Sequence, residues 1–126
     1  MKIRSNYVSN SSSTSFCIAG VPYDKEKFNV IVDKLDLFDA FDRFFKSALD
    51  YEYDFDASHD IENEIGPLMT YYDANEDCKS IGISVDEMQQ LETRNEFFKM
   101  VYEKLREIGY NGSVDDVQFM TGTYRI

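Results

Sequence analysis

Between residues 50 and 64 the chain places seven carboxylates, Asp50, Glu52, Asp54, Asp56, Asp60, Glu62 and Glu64, with no Lys or Arg among them. Hard oxygen donors at this density are the raw material of a Ca²⁺ or Mg²⁺ site. The EF-hand pattern is not met, however. Counted from Glu52, the sixth position is Ala57 and the twelfth Asn63; counted from Asp50, they are Phe55 and Ile61. The run therefore reads as a solvated acidic face, and no metal or cofactor is expected. His59 is the single histidine, so no histidine cluster for zinc can form, and Cys17 and Cys78 have no CxxC partner. A Cys–His nucleophile pair would sit among carboxylates that disfavour a thiolate. Both thiols are expected to be reduced and buried.

The remaining chemistry-bearing patterns are weak. Glycines 20, 66, 82, 109, 112 and 122 are isolated, so no phosphate-cradling loop exists. Tyr71, Tyr72 and Tyr124 pose the question of a base-stacking platform, but Lys79 and Arg125 are almost the only cations near them. These tyrosines are expected in the core or at an interface. Arg4, Ser13-Thr14-Ser15 and Glu62-Asn63-Glu64 follow the order of the landmarks of ADP-ribosyltransferases, which they resemble. The Ser-Thr-Ser to Glu-x-Glu separation is shorter than that resemblance requires, and an enzyme of this kind ranks third among the readings.

Composition sets wider bounds. The 126 residues carry 24 acidic against 13 basic side chains, a formal charge of −11, and a sequence pI near 4.4. With 43% hydrophobic and 15% aromatic residues, the chain can bury a core and is expected to be one domain spanning 1–126. Disordered, collagen-like and disulfide-scaffold classes are excluded. Direct nucleic-acid binding is disfavoured, because affinity for a phosphate backbone comes from Lys and Arg. There is no apolar run long enough to span a bilayer, and the polar stretch after Met1–Tyr7 is unlike a secretory leader. The expected setting is the cytoplasm.

The elements that must position these residues follow from patterning. Phe16–Val21 is a short apolar strand closed by Gly20 and Pro22. Asp24 is placed as an N-cap, and Phe28, Val32, Leu35, Phe38, Phe41, Phe45 and Leu49 trace an apolar stripe that predicts a helix over 25–49. A break near Asp36 is signalled by Leu37 and Phe44, which miss the stripe. Residues 50–65 are expected to be an acidic loop, extended over 51–55 where acids alternate with Tyr51, Tyr53 and Phe55. Strands follow at 68–72 and 80–83 around a turn at 73–77. Ser84 with Glu87, then Thr93 with Glu96, are capping boxes, the second opening a helix over 94–108 that Gly109 stops. A strand over 117–124 ends the order β-α-β-β-α-β. The expected class is α+β: a four-stranded antiparallel sheet with two helices on one face, the ferredoxin-like split βαβ.

Tyr7-Val8-Ser9-Asn10-Ser11-Ser12-Ser13-Thr14-Ser15-Phe16 resembles an N-terminal tract found in small phage and prophage proteins. The resemblance implies a mobile-element origin and carries no catalytic residue. Acids interleaved with aromatics can meet a basic protein surface. The expected function is therefore that of a non-enzymatic, acidic phage or prophage protein acting in the bacterial cytoplasm. It would inhibit a basic, nucleic-acid-handling host protein through Glu52, Tyr53, Asp54, Asp56, Asp60, Glu62 and Glu64. The alternative is a structural or self-assembling phage component that forms homo-oligomers through its Ser-rich tract 5–15 and an edge strand.

Overall fold

The computed structural model describes residues 13–50, 52, 54–88 and 93–125. Strand β1 (Ser13–Pro22) leads through short 3-10 turns to helices α1 (Leu35–Leu49) and α2 (Phe55–Ile65). The hairpin β2 (Met69–Asp73) and β3 (Cys78–Ser84), helix α3 (Arg94–Glu107) and strand β4 (Gln118–Arg125) follow. The four strands form one sheet in the order β2-β3-β1-β4, and every pairing is antiparallel. The α+β class and the antiparallel sheet are as the pattern predicts, with the short apolar strands β1 and β3 in the centre. The third helix, α2, is not. Among the described residues no helix is long and apolar enough to cross a membrane.

Alternation along the strands divides the sheet into two faces. Ala19 and Val21 of β1, Ile81 and Ile83 of β3 and Tyr72 of β2 join Leu37, Phe41 and Phe45 of α1, Ile61 of α2 and Phe97, Val101 and Leu105 of α3 in one core. Each large side chain shut away there contributes about 1.5–3 kcal/mol. The other face carries Phe16, Ile18, Tyr71 and Asp73, yet Ile18 is 0% exposed and Asp73 only 7%.

Strong coiling of the sheet explains that burial. Tyr71 pairs with Ser80, and Ser80 with Pro22. In a flat sheet Phe16 would therefore lie about 20 Å along the strands from Tyr71. The two rings are instead 5.0 Å apart. The edge strands β2 and β4 meet at a corner: the Ala74 N–H donates to the Thr123 carbonyl at 2.8 Å, and the Asp73 carboxylate accepts the N–H groups of Thr123 at 3.2 Å and Asn75 at 3.1 Å. Only glycine fits at 122, where a Cβ would stand 2.6 Å from the Phe16 ring and 2.8 Å from the Asp73 carboxyl carbon. Gly20 and Gly82 face each other across β1 and β3, and a Cβ on either would run into the opposite backbone.

The helix expected over 25–49 begins only at Leu35. Lys25–Lys27 and Val32–Lys34 are single 3-10 turns, the first capped by Asp24. Between them Phe28 forms a β-bridge with Tyr110 and stacks on its ring at 5.3 Å. The Asn29 N–H donates to the Gly109 carbonyl at 2.7 Å, and the Asn111 N–H to the Lys27 carbonyl at 2.8 Å. These long-range bonds replace the helical ones. The inward side of α1 is consequently Leu37, Ala40, Phe41, Phe44 and Phe45. Val32 and Leu35 of the expected stripe face solvent.

Helix α3 carries the expected Thr93–Glu96 capping box, and Gly109 ends it at φ +105°. The Ser84–Glu87 pair opens only a 3-10 turn, with the Ser84 hydroxyl accepting the Asp86 N–H. Past α3, the Tyr110 hydroxyl donates to Asp116 at 2.7 Å and the Ser113 N–H to the same oxygen at 3.0 Å. These two bonds hold the Asp116 carboxyl below the usual carboxylate range, the Tyr110 bond being the larger cause.

Two outcomes are expected. Asp73→Ala leaves the Thr123 and Asn75 N–H groups without their acceptor and lowers the unfolding free energy by about 1–3 kcal/mol, read by denaturant titration, with faster amide exchange at Thr123. Because the Asp116 pKa is depressed by folding, its stabilisation is present above the unfolded carboxylate value near 4 and is lost as pH falls through the folded value. Asp116→Asn therefore lowers Tm at neutral pH, and the difference from the parent protein shrinks below about pH 4, in thermal melts across that range.

Candidate functional site

The acidic segment folds into helix α2 because its polar and apolar residues divide at helical spacing. Asp54 caps it, its carboxylate accepting the Ala57 N–H at 2.9 Å, and Asp56 in the first turn complements the helix dipole. Ala57, Ser58 and Ile61 pack inward, so the acids are turned outward. The expected loop over 50–65 is thus corrected to a capped helix, preceded by an extended Asp54 (φ −89°, ψ 95°). Tyr51 and Tyr53 lie outside the described residues.

The expected binding residues divide into two groups. Asp54 is the cap; Asp60 accepts from Arg43 at 3.0 Å; Glu64 accepts from Lys34 at 3.1 Å. Glu52, Asp56 and Glu62 are exposed and make no ion pair among the described residues. Arg43 also reaches Asp39, one turn earlier on α1, at 3.3 Å. It clamps α1 to α2, and the hydrogen bond to Asp60 is the main cause holding its guanidinium even more firmly protonated than usual. Lys34 offsets the unfavourable position of Glu64 in the last turn of α2.

Sequence reading missed the contribution of α1. Between Asp33 and Glu64 there are eleven carboxylates against Lys34, Arg43 and Lys46. This stretch supplies most of the net charge of −11; Asp36, Asp39 and Asp42 of α1 and Asp56, Asp60, Glu62 and Glu64 of α2 carry the larger part of its acids. The signal was available in Asp36, Asp39 and Asp42, three residues apart. An apolar strip borders this face: Val30 is 79%, Val32 77% and Leu35 54% exposed. Its link to α2 is the Lys34–Glu64 pair. Exposed aliphatic side chains thus lie next to charged ones at this edge of the helices.

The other candidates are placed as follows. Cys17 is only half-buried and Cys78 exposed, so the expectation of two buried thiols is corrected for both. His59 is exposed on α2. Among the described residues, no three His, Cys, Asp or Glu side chains converge as metal ligands do. Tyr71 packs on Phe16, and Tyr72 is buried with its hydroxyl donating to Asp77; neither presents a free stacking face. Arg4 lies outside the described residues, Ser13–Ser15 open β1, and Glu62-Asn63-Glu64 occupy the end of α2.

Comparison with protein-family models, with curated proteins and with solved structures finds no match to this chain.

Proposed function

We propose that this chain is a small, non-enzymatic acidic binding protein that docks the outward face of α1 and α2 onto a basic surface of a nucleic-acid-handling host protein. The observation that carries this reading is the concentration of eleven carboxylates within Asp33–Glu64, seven of them on two helices that Arg43 fixes side by side and four in the segments next to those helices. A rigid acidic face steers a basic partner at long range and fixes its orientation on contact. Val30, Val32 and Leu35 supply adjacent apolar area, which electrostatics alone lacks. The Val-Ser-Asn and Ser-rich opening supports a phage or prophage origin, a cytoplasmic setting and an anti-defence role. The scaffold we assign is the ferredoxin-like split βαβ, with α1 and α3 on one face and α2 added to the first crossover. The rival reading, self-assembly, draws on the exposed Val30 and Val32.

Lysate capture with the tagged protein tests the proposal. A basic nucleic-acid-binding protein should be retained at about 0.05 M salt and released at about 0.5 M, where the Debye length shrinks several-fold. The triple variant Glu52→Lys, Asp56→Lys, Glu62→Lys reverses only side chains without an internal partner. It should bind about tenfold or more weakly while melting as the parent does. Retention unaffected by both salt and charge reversal overturns the reading. Self-capture alone, with a stable oligomer in light scattering, favours the rival.

A further inference from the structure

Beside α1, a cavity of about 400 Å³ opens between the segment after β1, the C-terminal half of α1 and the start of β3. That volume falls within the range of small-molecule sites. Its charged lining is unlike the rest of this acidic chain. Lys25, Lys46 and Lys79 all line it. Lys25 is neutralised by Asp42 at 2.9 Å. Asp24 is occupied in capping the 3-10 turn, accepting the Glu26 N–H at 3.0 Å. Lys46 and Lys79 have no carboxylate partner among the described residues, and the Lys79 ammonium stands 5.6 Å above the Phe45 ring. The five charges leave one positive charge over.

The cavity also has an apolar wall. Phe45 and Leu49 line it, and the Tyr23 ring stacks on Phe45 at 5.1 Å. The Tyr23 hydroxyl is itself buried, with no hydrogen-bond partner among the described residues, and burial, then the Asp42 carboxylate, push its pKa well up.

We propose that this cavity binds a small organic carboxylate, its head held by Lys46 and Lys79 and its apolar body against Phe45 and Leu49. The excess of one positive charge matches a monoanion. Two ammonium groups hold it as point charges, without the planar fork that would select a bidentate geometry. The aromatic wall selects against inorganic anions, and the lysines select against uncharged aromatics. This site shares α1 with the acidic face, Asp42 being taken up by Lys25, but it uses no residue of α2.

Benzoate, titrated into the isotopically labelled full chain and followed by NMR at about 0.15 M salt so that distant carboxylates are screened, is the direct probe. A saturable Kd of about 1 mM or below is expected for a ligand of this size, with shifts centred on Tyr23, Phe45 and Lys79. Benzamide, which lacks the charge, and acetate, which lacks the ring, should each bind about tenfold more weakly. Lys46→Gln with Lys79→Gln, both exposed positions, should weaken benzoate about tenfold, with the fold intact by NMR. Benzamide binding as well as benzoate, the double variant binding benzoate unchanged, or no saturation overturns the proposal.

Discussion

The corner where Ala74 and Asp73 grip Thr123 governs how the molecule presents itself. A four-stranded sheet has two faces to cover, and residues of all three helices share a core with Ala19, Val21, Ile81 and Ile83. By coiling until β2 and β4 touch, the sheet folds its second face onto itself, so that Phe16, Ile18 and Tyr71 form a small core without a helix. The coil needs glycine at 20, 82 and 122, because a side chain there would collide with the facing backbone or with Phe16 and Asp73. One buried carboxylate with two backbone donors holds the ends of that coil together. Such a bond contributes more than a neutral one and is costly to leave half-made.

With the second face closed, the helical side is the one that the proposed docking uses. Carboxylates crowded onto α1 and α2 repel one another, and the repulsion destabilises the compact state. The chain limits this locally. Arg43 bridges Asp39 and Asp60, Lys34 takes Glu64, Lys25 takes Asp42, and Asp54 is turned to the α2 N-terminus. Surface pairs of this kind are each worth little. What they do is fix α2 against α1 while leaving Asp33, Asp36, Glu52, Asp56 and Glu62 directed at solvent. The result is a field that is strong and held in a defined place.

Where a signal was local, it was legible. The Thr93–Glu96 capping box, the Gly109 stop and the turn at 73–77 depend on neighbouring residues, and each lies where the sequence puts it. The failures have a common cause in distant contacts. Phe28 belongs to a helical stripe by spacing, but Tyr110, 82 positions later, offers it a ring and a backbone bridge. That pairing melts the first two turns and turns Val32 outward. In 50–65 the two-residue alternation of acids and aromatics masked a second pattern. Asp54 as a cap followed by Ala57, Ile61 and Ile65 has helical spacing. The acidic character of the site was therefore plain, whereas its shape, and the part played by α1, needed the packing of two helices.

Carboxylate footprinting of the captured complex would test the central claim most directly. Carbodiimide labelling, read by mass spectrometry, compares each acid in the free and bound chain. The account predicts that Glu52, Asp56 and Glu62 lose reactivity in the complex, together with Asp33 and Asp36, while Glu103 and Glu107 of α3 stay as reactive as before. Undiminished labelling of the α2 acids with protection on α3 would contradict it, and would move the binding surface to the far side of the helical layer.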